Sequence, residues 1–143
     1  MKPSGADLQR FIDAQGPVYE AARAELAAGR KRTHWMWFIF PQLAGLGRSE
    51  TARFYGLESR AEALAYWQHP VLGPRLRHCA RLVLETRGKT AHEIFGSPDD
   101  LKLRSCMTLF ADVAGDEPVF AEVLARYFQG EPDGRTLDLL AAK

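Results

Sequence analysis

Residues 30–50 read RKRTHWMWFIFPQLAGLGRSE, and the conformation of their apolar centre decides the fold class. Arg30, Lys31 and Arg32 lead into an unbroken apolar run from Trp35 to Phe40. Pro41-Gln42 and a glycine-punctuated turn follow at once. Periodicity alone cannot separate a buried helix from a buried strand in so short a run. A strand needs a partner, and no other segment of the chain carries a strand pattern. The run is therefore read as a short buried helix, capped by Thr33 and closed before Pro41. Phe40, preceding a proline, should leave the α region.

Outward from this segment the punctuation predicts more short helices. Asp7 is placed to cap a first helix from Leu8 to Ala14, halted at Gly16-Pro17. Pro17 suits the first turn of a second helix, where its missing N–H is harmless. That helix should bury Val18, Ala22 and Leu26 and stop at Gly29. Ser49 opens SETARFY, which ends at Gly56. Ser59-x-x-Glu62 and Thr90-x-x-Glu93 have the pattern of capping boxes. Pro70 opens a long helix with Leu72, Leu76, Cys79 and Val83 as its apolar stripe, and Pro74 inside it implies a kink or a late start. Ser97-Pro98-Asp99-Asp100 reads as cap, proline and first-turn acids, followed by a core stripe of Leu103, Cys106, Phe110 and Val113. Asp116 and Pro118 begin a helix carrying Val119, Phe120, Val123, Leu124 and Phe128, ended by Gly130. Asp133 caps a last one with Leu137, Leu139 and Leu140. The expected fold is all-α, a single compact domain of about seven to nine short helices over residues 1–143, with its core at about 7–141.

Bulk properties narrow the function classes. A chain of 143 residues suits one core, and 46% hydrophobic with 26% charged residues is ordinary for a soluble protein. No apolar run approaches the roughly 20 residues of a membrane span, and MKPSGADLQRF lacks a secretory signal pattern. A soluble, cytoplasmic protein with no membrane association is expected. A net charge of +1 exerts no global pull toward nucleic acid. The charge is uneven, however: Arg75, Arg77, Arg81, Arg87 and Lys89 face acids concentrated beyond Asp112, and such faces should attract each other within the fold. Cys79 and Cys106 read as buried thiols rather than a disulfide.

Three groups of residues are candidates for chemistry. His34, Trp37 and Gln42 beside the aromatic run resemble an apolar wall with a few aimed polar groups, the make-up of a small-molecule pocket. On a helix Trp35 and Trp37 lie roughly 200° apart, so at most one can face a common ligand, and the plainer reading makes the pair core aromatics. In the second group, Gly45, Gly47, Arg48 and Ser49 could present backbone donors to a phosphate, although GLGRS lacks the spacing and lysine of a P-loop. The bland reading is a tight turn plus a serine cap. In the third, Asp99 and Asp100 are an acid–base pair by composition, and Lys102 with Ser105 share a helix face as base and nucleophile. Their place at a helix start explains the acids without catalysis and implies lowered rather than raised acidity constants. His34, His69, His78 and His92 have no ligand spacing and neither cysteine belongs to a CxxC, so no metal site and no cofactor is expected.

The segments KRTHWMWFIFPQLAGLGRSE, YWQHPVLGPRL and IFGSPDDLKLRSCMTLF together resemble domain-of-unknown-function family 1810, from about Asp7 to Leu140. Some members are labelled "calpastatin", a name at odds with this chain, which lacks a disordered, inhibitor-type composition. The resemblance implies a small all-helical fold and no established activity. At Cys106 the pattern more often has serine, which argues against a nucleophilic cysteine there. Over Lys102–Leu140 the order of Met107, Phe110, Leu124 and Leu137 is also similar to proteins that hydrolyse N-glycosidic bonds of nucleotide and ADP-ribose derivatives.

The leading expectation is a protein that binds a nucleotide- or ADP-ribose-like small molecule and, in its fuller form, hydrolyses it. Trp37 would stack on the ring, His34 and Gln42 would hydrogen-bond it, and Asp99 or Asp100 would activate water. Lys102 or Arg48 would hold a phosphate. It fails if His34 and Lys102 lie on opposite sides of the fold. One alternative is a non-enzymatic adaptor for an unknown protein partner, which needs a flat apolar surface patch, a solvent-facing Trp35 or Trp67 and no polar-lined cleft. Another is RNA binding through Arg30, Lys31 and Arg32, which needs those cations exposed.

Overall fold

The computed structural model describes residues 8–142, so Asp7 lies outside the described residues. Its helices are α1 (Gln9–Gln15), α2 (Tyr19–Ala27), α3 (Met36–Ile39), α4 (Glu50–Tyr55), α5 (Arg60–Gln68), α6 (Leu72–Glu85), α7 (Ala91–Phe95), α8 (Asp99–Val113), α9 (Val119–Phe128) and α10 (Gly134–Ala142). The all-α expectation holds, with ten helices among the described residues against the seven to nine expected. No described helix is long and apolar enough to cross a membrane.

The long helix α8 is the hub, packing against α5, α7, α9 and α10. Leu103, Cys106 and Phe110 are fully buried, and the stripe continues through Met107 and Val113. Burying each large apolar side chain contributes about 1.5–3 kcal/mol. A chain of aromatic contacts runs through the core: Phe11 meets Tyr66 edge-on at 5.0 Å, Tyr66 tilts against Phe110 at 5.7 Å, and Phe110 meets Phe120 at 5.8 Å. Cys79 and Cys106 are free and buried. Burial pushes the Cys79 thiol up to about 12 and the Cys106 thiol well up, so both remain protonated.

The helix starts follow the sequence in part. Thr90 and Glu93 form the full capping box. Ser59 accepts from the Glu62 amide, but the Glu62 carboxylate turns to the Glu58 amide at 2.7 Å and to Arg10, so the second half of that box is absent. Pro98, not Ser97, stands at the start of α8 and no side chain caps it. Glu117, rather than Asp116, accepts from the first amide of α9 at 3.0 Å. α6 begins at Leu72, the late start that Pro74 implied. The uneven charge closes partly on itself, with Arg77 bound to Glu117 at 2.6 Å and Arg60 to Asp112 at 2.8 Å.

The aromatic run is a single helical turn, and Phe40 leaves the α region (φ −122°, ψ 73°). Its cap differs from expectation. Thr33 spends its amide and hydroxyl on the Glu25 carboxylate, at 3.0 and 2.7 Å, instead of capping α3. After Pro41 the chain forms one isolated parallel bridge, Leu43 to Leu57. The Gln42 carbonyl accepts from the Leu57 amide at 2.9 Å, which fixes the Gln42 backbone. Gly56 permits this approach, because a Cβ there would stand 2.7 Å from the Ala44 Cα.

Candidate functional site

The approach to α3 is organised by Glu25, on α2. Its carboxylate accepts from the amides of Arg32 and Thr33, the Thr33 hydroxyl and the Trp35 indole N–H, at 2.7 to 3.0 Å. Burial works to raise its pKa, yet these donors favour the charged form and lower it to about 2. With the loop so fixed, Trp35 is core at 1% exposure while Trp37 is half-buried. Trp35 stands at the N-cap of α3 with non-helical backbone (φ −149°, ψ 5°), and only Trp37 lies on the helix itself.

From the opposite side α8 brings Asp99 and Lys102. Lys102 Nζ donates to Asp99 Oδ1 at 3.0 Å and sits 4.0 Å from the centre of the Trp37 ring. Lys31 Nζ, its side chain only 8% exposed, pairs with Asp99 Oδ2 at 2.9 Å. Burial pushes the Asp99 carboxyl up, but bonds and charge from the two lysines outweigh it and hold the group below its ordinary range. The lowered direction matches the sequence reading; the cause is a pair of lysines.

Trp37 and Lys102 form a partition between two adjacent depressions. The first, of about 310 Å³, is lined by Lys31, His34, Trp37, Thr51, Asp99 and Lys102 among others. The second, of about 520 Å³, is lined by Trp37, Gln42, Lys102, Arg104, Ser105 and Arg135, with Gly47 in its wall. Gly47 is required sterically: a Cβ there would stand 2.7 Å from the Ala52 Cβ and 3.4 Å from the Trp37 ring.

The structure therefore brings His34, Trp37, Asp99 and Lys102 to one depression and Gln42, Trp37, Lys102 and Ser105 to its neighbour. His34 is exposed. Ser105 donates to the Leu101 carbonyl at 3.2 Å and Lys102 is committed to Asp99, so each member of that pair has another partner. Asp100 lines neither depression; its oxygens meet the Leu101 amide and, at 3.6 Å, His92 Nδ1. Arg48 and Ser49 are exposed and also lie outside both, and Ser49 caps α4 through the Ala52 amide. Sequence reasoning did not single out Glu25, Thr51, Arg104 or Arg135. Nothing local marks Arg135, which reaches the Gly45 carbonyl across 90 positions of chain. Among the described residues no three His, Cys, Asp or Glu side chains are grouped to hold a metal ion.

Comparison with known proteins bears on this geometry only through family and fold. The family profile described as "Protein of unknown function (DUF1810)" matches residues 5–140. No curated protein matches the chain. The chain is similar to a solved structure, the conserved hypothetical protein Rv1873 from Mycobacterium tuberculosis, at 54% identity with a TM-score of 0.96. That likeness covers 98% of this chain and 100% of the other.

Proposed function

The chain belongs to the family of proteins of unknown function DUF1810, and from that premise we propose that it binds a small, ring-bearing molecule at the two depressions divided by Trp37 and Lys102. The observation that carries the reading is the partition itself. An indole and an ammonium 4.0 Å apart are offered to both sides. Asp99 holds the lysine in place and is itself held by Lys31. Both volumes fall in the range typical of small-molecule sites. In the first depression a planar ring would lie beside Trp37, with His34 and Thr51 at hand for polar contacts.

Binding is a better reading than hydrolysis. A general base needs a carboxylate free to take a proton, whereas both Asp99 oxygens are occupied by lysines and its carboxyl is shifted away from protonation. The adaptor reading has little to use: Trp35 is buried and Trp67 packs edge-on against Phe120 at 5.3 Å. The basic run Arg30-Lys31-Arg32 lacks its centre for RNA, since Lys31 is spent on Asp99.

A thermal-shift and tryptophan-fluorescence screen against nucleosides, nucleotides, NAD and ADP-ribose tests the reading. A ligand at a hundred times its dissociation constant should stabilise the fold by about 2.7 kcal/mol. The shift should vanish in Trp37→Ala. Absence of any shift across the whole set in the wild type would remove the proposal.

A further inference from the structure

We infer that the second depression is an oxyanion subsite, so that the ligand of the proposed site is a phosphate or diphosphate ester of a ring compound. This rests on the ring-binding reading above and adds the chemical class of the ligand. Two independent features carry it.

The first is Gln42. Its residue is only 8% exposed, its backbone is fixed by the Leu57 bridge, and its side chain lines the depression. Yet among the described residues that side chain makes no hydrogen bond. Among the described residues no fully buried side-chain nitrogen or oxygen lacks a partner, so the amide atoms of Gln42 reach the open side of the depression with donor and acceptor both available. An external group would complete it.

The second feature is charge. Arg104 and Arg135, beside a Lys102 that is already paired with Asp99, line the depression against one carboxylate, Asp133. One oxygen of Asp133, Oδ2, accepts from the amide and hydroxyl of Thr136, at 2.9 and 2.6 Å, which leaves two guanidinium groups facing a single negative charge. Glu131, 3.6 Å from Arg104, is 73% exposed and therefore well screened. Arg104 directs its Nε to the Glu131 carbonyl at 3.0 Å and Arg135 one Nη to the Gly45 carbonyl at 3.3 Å. A guanidinium has more donors than one carbonyl consumes, and its planar fork matches phosphate oxygens. The Arg135 bond also ties α10 to the glycine turn, so the subsite is assembled from α8, α10 and the turn after α3.

The experiment is calorimetric titration of the full chain with adenosine, ADP and inorganic pyrophosphate. Wild type, Arg104→Gln, Arg135→Gln and Gln42→Leu are compared. ADP should bind at least roughly tenfold more tightly than adenosine, with pyrophosphate competing. Each arginine variant should weaken ADP by about tenfold, the value of a charge-assisted hydrogen bond, and leave adenosine unchanged. Should an arginine variant melt at a lower temperature without ligand, salt supplies the same test in the wild type. ADP affinity should then fall steeply with ionic strength and adenosine affinity should not. Equal affinity for adenosine and ADP, unmoved by the variants or by salt, would overturn the oxyanion subsite and leave the ring site standing. No binding of any probe to the wild type would overturn both.

Discussion

Two glutamines of similar burial flank the aromatic helix α3, and they do opposite things. Gln15 is 1% exposed and fully spent: its amide donates to the Phe38 carbonyl at 2.7 Å and the Tyr66 hydroxyl at 2.9 Å, and its oxygen accepts from Arg75 at 3.2 Å. Gln42 is 8% exposed and spends its side chain on nothing among the described residues. Around Gln15 the polar groups close on one another, as they do in the nearby Arg10–Glu62 pair. Around Gln42 they face open space under a cationic rim. Residue type and overall burial do not separate a closed polar cluster from a side chain proposed to meet a ligand; the separation comes from whether its hydrogen bonds are already made.

The contrast can be broken by substitution. The largest effect should come from Glu62→Ala in the closed cluster. Glu62 and Arg10 pair at 3.3 Å with side chains 1% and 2% exposed, so the change takes the carboxylate from a buried guanidinium that keeps only its other, uncharged partners such as the Phe54 carbonyl. Denaturant unfolding should register a loss of about 3–5 kcal/mol. Gln15→Leu should cost less, about 1–3 kcal/mol, because it orphans neutral acceptors and one end of Arg75.

Glu25 stands between the two regimes, structural itself but shaping the approach to the site. Its pKa is lowered from the ordinary 4.5 to about 2 in the folded protein, so its contribution to stability is complete above about pH 4.5. That contribution should drain away as pH falls toward 2, and Glu25→Gln should flatten this part of the stability profile. Its carboxylate is partly solvated, so the effect should be smaller than that of the Arg10–Glu62 pair. The smallest change in stability, within about 0.5 kcal/mol, is expected for Gln42→Leu, the same variant expected to impair ADP binding. If Gln42→Leu destabilised the protein as much as Gln15→Leu, the distinction between the two glutamines would collapse.

Local signals carried most of the helical framework. Thr90 with Glu93, Ser49 and Asp133 act where the sequence places them, since a cap is a matter of adjacent residues. What was illegible depends on contacts between distant segments. Thr33 has the composition of a cap, but Glu25, eight positions earlier on another helix, captures it. Glu62 has the composition of half a capping box, but Arg10, 52 positions away, competes for it. For the candidate site, His34, Trp37, Gln42 and Lys102 were reachable from the aromatic run and the start of α8. Arg104 is on α8 with Lys102, whereas Arg135 enters only because α10 packs against α8 and reaches the glycine turn.

The central claim is that the depressions beside Trp37 and Lys102 receive a ligand, and a nitrogen-15 NMR titration of the full chain with ADP tests it most directly. The account predicts saturable shifts at the Trp37 indole N–H, the Gln42 side-chain amide and the backbone of Lys102, Arg104, Ser105 and Arg135. The Gln15 side-chain amide should stay still. Shifts confined elsewhere, for example to the open depression lined by Leu84, Glu122, Ala125 and Arg126, or no saturable shifts at all, would contradict it.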